Sequence, residues 1–242
     1  MQLMAQTASS IDTAPEPSRI RAIILDFDGT IVDTETPTFV AWRRLYRQYG
    51  FELNLRDWKD TVGSNTGFDP TTRLAELAGW ETVPANLLRQ VERDISTGCD
   101  QEPLRPGVRA LLADIEDAGL GVAIASSSPS GWVLGWLEHH GLTSRFEVVV
   151  CRDHVDRTKP APDLYLLAAR RLGLEPSDCV VIEDSPLGFQ AARAAGMACV
   201  VVPNALTARL RFPDGAVLHG TCPRLFQINE RRPWGKGGAC AR

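Results

Sequence analysis

Apolar and polar positions along the chain fall into two regimes. From residue 120 onward, short apolar runs alternate with amphipathic stretches. The pattern predicts a strand over 120–125, a helix over 131–140 stopped by Gly141, and a strand over 146–150. A helix over 163–172 ended by Gly173, a strand over 179–182, a helix over 187–195 and a strand over 197–202 follow. Before them, Ile23-Ile24-Leu25 reads as a buried parallel strand, and Val108, Leu111, Leu112 and Ile115 mark a helix closed by Gly119. Alternation of this kind predicts an α/β chain with a right-handed, doubly wound parallel sheet and helices on both faces.

The stretch 34–103 follows a different rule. Phe39, Trp42, Leu45, Tyr46 and Tyr49, then Leu74, Leu77, Leu87, Leu88 and Val91, recur at helical spacing, and no strand pattern interrupts them. Pro103 and Pro106-Gly107 mark where this block ends. The expected organisation is a leader over 1–20, an α/β core over 21–33 and 104–213, and a helical cap over 34–103. The cap is inserted into the first crossover above the sheet's carboxyl edge, where a lid would sit. Residues 214–242 lose periodicity, with scattered Gly, Pro and Arg, and receive no element.

Composition narrows the class. The 242 residues suffice for a full core, and 44% hydrophobic with 23% charged residues is ordinary for a globular protein. A net charge of −4 gives no basic field for nucleic acid. No apolar stretch approaches the roughly 18 residues that span a bilayer. The first twenty residues hold Asp12, Glu16 and two prolines without an apolar core, which reads as a disordered leader rather than a secretory signal. Six cysteines lack metal-ligand spacing, so the chain reads as reduced and cytoplasmic. The expected state is a monomer, with a dimer left open.

Chemistry gathers where apolar runs end. Asp26 and Asp28 follow the first run with Gly29-Thr30; Ser126 ends the second; Lys159 follows the third; Glu183 and Asp184 end the fourth. In a parallel sheet these carboxyl ends share one edge, where ligands bind open α/β sheets. Strand alternation, if it persists, points Asp26 and Asp28 to one side. Four acidic groups with a hydroxyl and an ammonium suit a hard divalent cation beside a phosphate, and oxygen donors match Mg²⁺. Each residue also has a plainer reading. Asp184-Ser185-Pro186 forms a helix N-cap, Lys159 a surface loop lysine, Ser126 part of a turn, and Glu183 a solvated side chain.

Taken together, these stretches resemble the haloacid dehalogenase superfamily, in its β-phosphoglucomutase-like phosphatase branch with a helical cap. The first motif, DxDGT, stands as Asp26-Phe27-Asp28-Gly29-Thr30. The second is Ser126, the third Lys159 in Thr158-Lys159-Pro160, and the fourth Glu183-Asp184. The resemblance implies Asp26 as nucleophile and Asp28 as general acid and base, with Ser126 and Lys159 stabilising the transferring phosphoryl group. It implies Mg²⁺ held by Asp26, the backbone carbonyl of Asp28, Asp184 and, through water, Glu183. Gly63, Ser64 and Asn65 of a polar loop in the cap, with Ser127, are the substrate-binding candidates. The stretch from Asp33 to Trp42 is similar to the β-phosphoglucomutase subgroup, but Thr38 stands where that subgroup carries histidine. The expected activity is therefore hydrolysis of a small phosphorylated metabolite of the sugar or polyol phosphate class. The alternatives are a sugar phosphomutase or a non-catalytic binding module of the same fold.

Overall fold

The computed structural model describes residues 20–59, 62–63 and 67–230. The expected leader up to residue 19, the loop candidates Ser64 and Asn65, and residues 231–242 lie outside the described residues. β1 (Ala22–Leu25), β2 (Gly121–Ala125), β3 (Val148–Val150), β4 (Cys179–Glu183) and β5 (Ala198–Val201) form one sheet in the order β3-β2-β1-β4-β5. Every pairing is parallel. The sheet is Rossmann-like, with β1 central and covered on both faces. That double burial is why its sequence shows no polar alternate position.

Between β1 and the rest of the sheet the chain makes a helical block. α1 (Glu35–Gln48), α2 (Leu55–Trp58), α3 (Pro70–Ala78) and α4 (Ala85–Cys99) enclose their own apolar cluster, which includes Phe39, Leu45, Tyr46, Trp58, Leu74 and Val91. The helix starts are written locally. Asn54 accepts from the amides of Arg56 and Asp57, and Asp69 from those of Thr71 and Thr72, with Pro70 preset at the first helical position. The block is tied at its base by a bridge between Val32 and Leu104. Leu206 and Leu210, which follow β5, pack into its cluster from the sheet side.

The helices that close the sheet divide by strand alternation. Ile23 and Leu25 face a core shared with Leu111 and Leu112 of α5 (Val108–Asp117) and Val133 of α6 (Ser130–His139). Ala22 and Ile24 face the other, with Leu164 and Tyr165 of α7 (Asp163–Arg171) and Phe189 of α8 (Pro186–Ala194).

Part of the stretch that carried no periodicity is built into the first core. Leu218 bridges to Val201, and Cys222, Leu225 and Ile228 are buried beside α5, the last two on α9 (Leu225–Glu230). Arg224 grips Asp114 with two hydrogen bonds of 2.6 and 2.5 Å. No helix among the described residues is long and apolar enough to cross a membrane.

Candidate active site

β1 closes at Leu25, so alternation does not carry Asp26 and Asp28 onto one strand face. The Asp26 amide still bonds to the Ile182 carbonyl at 2.9 Å, after which the chain turns, with Ile31 N bonding to Phe27 O. Gly29 makes that turn possible. Its φ is +82°, and a Cβ there would run into the Asp184 carboxylate and within 2.7 Å of the Asn204 amide nitrogen. Arg105, from the strand of chain that returns out of the helical block, pins the turn by donating to Gly29 O at 2.5 Å and Pro203 O at 2.9 Å.

Two clusters form at this edge. In the first, Asp26, Glu183 and Asp184 each bring a carboxylate oxygen to within 4.8 Å of the others, all buried. Lys159, fully buried beside a cis peptide bond to Pro160, pairs with Asp26 and with Glu183 at 2.6 Å. Its ammonium lies 5.0 Å from the centre of the Tyr165 ring, a cation–π distance. Glu183 is saturated. One oxygen accepts from Lys159 and from Tyr165 Oη at 2.8 Å. The other accepts from the amides of Asp184 and Ser185 and from Ser185 Oγ. Asp184 is steered by Asn204 Nδ2 at 3.0 Å and Thr30 Oγ1 at 3.5 Å.

The electrostatics follow from this arrangement. Burial would raise Glu183, but Lys159 and the surrounding donors hold it below the ordinary glutamate range. Burial opposes the Lys159 ammonium, yet Asp26 and Glu183 hold it above the ordinary lysine range. Lys159 is shared between Asp26 and Glu183, so one positive charge stands against three buried carboxyls. Burial, aided by Glu183 and Asp28, pushes Asp26 up to about 8 against the pull of Lys159. Asp184 rises well above the usual range, through burial and then Glu183 and Asp26. Buried, oxygen-only and short of positive charge, the set fits a hard divalent cation.

The second cluster surrounds Asp28, whose side chain stands apart from the acidic group. Oδ1 accepts from Thr34 Oγ1 and Trp132 Nε1, both at 2.7 Å; Oδ2 accepts from Ser126 Oγ at 3.0 Å and Ser128 Oγ at 2.7 Å. Ser126 thus serves Asp28 directly. Asp28 lines a cavity of about 430 Å³ between the helical block and the sheet edge, walled by Trp58, Phe68 and Trp132, with Glu35 and Arg152 at its sides.

Of the loop candidates, Gly63 is described. Its carbonyl accepts from Ser127 Oγ at 3.0 Å and its amide donates to Glu35 at 3.4 Å. A Cβ at Gly63 (φ +76°) would strike Ser185, so the backbone is seated directly on the sheet edge. Ser127 and Gly63, chosen separately from the sequence, therefore meet. Glu35 was not foreseen; burial and then Asp28 push its carboxyl up to about 8. Trp132, Ser128, Tyr165 and Asn204 were also missed. None sits in a spaced motif, and each acts through a partner distant in sequence.

A family model described as haloacid dehalogenase-like hydrolase matches residues 23–202. YhcW of Bacillus subtilis (strain 168) is 41% identical over 81% of this chain and 89% of its own length. The fructose-1-phosphate phosphatase YqaB of Escherichia coli (strain K12) is 38% identical over 76% of this chain and 97% of its own. A crystal structure of a CbbY mutant from Rhodobacter sphaeroides in complex with xylulose-(1,5)bisphosphate superposes with a TM-score of 0.67. It is 27% identical and covers 84% of this chain and 94% of that one. The match spans β1 to the end of β5 and includes both clusters at the sheet edge, so this chain belongs to the haloacid dehalogenase-like hydrolases, in their β-phosphoglucomutase-like branch.

Proposed function

We propose that this protein is a Mg²⁺-dependent phosphatase that hydrolyses a small sugar or polyol monophosphate through an aspartyl-phosphate on Asp26. The observation that carries the reading is the joining of two clusters across one turn. Asp26 lies with Asp184 and Lys159, and Asp28 two residues on faces the cavity on four donors.

Asp26 attacks phosphorus, and Asp28 gives a proton to the departing alcohol, then takes one from the water that cleaves the acyl phosphate. Lys159, fixed by Glu183, holds positive charge beside the nucleophile and the phosphoryl oxygens. Asp26 and Asp184 would hold the cation, while Glu183, with five donors upon it, anchors Lys159 and the turn. Mg²⁺, when bound, would cancel repulsion between an anionic nucleophile and an anionic substrate. The helical block acts as the cap, with Gly63 seated against Ser127 and Ser185.

The cavity supports a neutral, hydroxyl-bearing remainder. Aromatic faces of Trp58 and Phe68 suit the C–H face of a sugar, and Glu35 suits its hydroxyls. Arg152 is the one cation among the described residues that line it, and residues 60–66 contain no Lys or Arg. Thr38 donates to Thr34 O at 2.7 Å, so no titratable group stands where a mutase of this branch has its histidine. A panel of phosphorylated metabolites assayed with Mg²⁺, with Asp26→Asn as control, tests the reading. Phosphate release that persists in that variant would exclude the covalent route, and sugar isomerisation without release would favour a mutase.

A further inference from the structure

Four donors converge on Asp28, and one differs in kind. Ser126, Ser128 and Thr34 bring hydroxyls, which rotate between donating and accepting. Trp132 brings an indole N–H, which can only donate. Its ring stands in the first turn of α6, edge-on to Trp136 at 5.6 Å between centroids, and Trp136 belongs to the sheet core. The core, not the ligand, therefore sets where this N–H points. The same ring forms cavity wall next to Asp28 and Ser128.

We propose that Trp132 is a positioning residue of the reaction. Its N–H commits Asp28 Oδ1 and so fixes which way the carboxyl group faces the leaving-group oxygen, while the three hydroxyls adjust around it. Without it, Asp28 is held only by groups that can turn, and the alignment on which proton transfer depends is lost. The inference rests on the phosphatase reading of the site and adds a residue that none of the four motifs contains.

Trp132→Phe keeps an aromatic wall and deletes the donor. The comparison is between fructose 1-phosphate, whose alkoxide needs a proton to leave, and p-nitrophenyl phosphate, whose phenolate does not. Removing a hydrogen bond to a charged group should lower kcat for the sugar phosphate by about 10- to 100-fold, with KM within about twofold. First-turnover phenolate release should fall by less than about threefold, because that departure asks little of Asp28.

Equal losses on both substrates, or a raised KM with unchanged kcat, would reduce Trp132 to a wall and overturn the inference. So would a variant as fast as or faster than wild type on the sugar phosphate. Thermal unfolding establishes that the variant is folded. If it is not, β-(3-benzothienyl)alanine at position 132 offers the shape of tryptophan without the N–H, and the same outcomes apply. A wild-type protein that hydrolyses neither substrate with Mg²⁺ would overturn the phosphatase reading and this inference with it. Hydrolysis of both by wild type, with the variant unchanged, overturns this inference alone.

Discussion

Asp26→Asn should stabilise the metal-free protein while abolishing turnover. Asp26 is buried, and its pKa moves from 3.8 to about 8 on folding, so the native state retains a proton that the unfolded chain releases. The stability linked to this group is whole below pH 4 and is lost as pH rises through 8. At pH 7 the loss amounts to roughly 4 kcal/mol, at about 1.36 kcal/mol per pKa unit, as an upper bound. Asparagine has no such proton to lose. At about 2–4 °C per kcal/mol for a chain of this size, the variant should unfold up to about 15 °C above wild type in EDTA at pH 8. The gap should shrink towards zero by pH 4. Saturating Mg²⁺ should then narrow the gap at pH 8 by raising wild type, by about 2.7 kcal/mol at a hundred times Kd. Thermal melts of both proteins from pH 4 to 9, with EDTA and with Mg²⁺, measure all of this. A variant no more stable than wild type in EDTA at pH 8, or a wild type indifferent to Mg²⁺, would refute the idea that three buried carboxyls sharing one lysine need a cation.

Other outcomes follow from the same geometry. Asn204→Leu removes the donor that steers Asp184 and should weaken Mg²⁺ binding by about 10- to 100-fold in calorimetry, the usual effect of losing a group that orients a ligand; an unchanged Kd would detach Asn204 from the metal. Deleting residues 214–242 strips buried Cys222, Leu225 and Ile228 from the core beside α5 and should cost several kcal/mol in urea unfolding, since one buried Leu or Ile is worth about 2–5 kcal/mol. Full stability of the truncated chain would contradict that packing. A sugar monophosphate should be preferred over its bisphosphate by at least about tenfold in kcat/KM, because a second phosphate would meet the Asp69 carboxylate, with Arg152 the one cation among the described residues that line the cavity. Equal rates would show that Arg152 alone accommodates a second phosphate.

How much of this was legible in the sequence depended on how local each cause is. β1, β2, β4 and β5 are apolar runs flanked by turn formers, so their existence and order could be read. Asp26, Asp184 and Lys159 could be read because strand ends must share an edge in a parallel sheet. Strand alternation beyond Leu25 misled, because the backbone turns at Phe27 to let Gly29 pass under Asp184. Glu183 looked like a solvated side chain or a metal ligand, and only its neighbours in space reveal five donors upon it. Trp132 follows Ser128 by one helical turn, and nothing in that spacing announces a bond to a residue 104 positions earlier. α9 is six residues long, too short to show a period, and owes its helix to α5 and to the grip of Arg224 on Asp114.

The short segment after β5 links the acidic cluster to the helical block. Asn204 holds Asp184 with its amide nitrogen, while its carbonyl oxygen accepts from the amides of Leu206 and Thr207 at 2.9 and 2.8 Å. Two residues on, Leu206 is embedded among the helices above. One short knuckle of chain therefore touches both the carboxylate and the helical block. A shift of those helices would reach Asp184 through Asn204, so the position of the block and the grip on any cation held by Asp184 would be tied through one side chain.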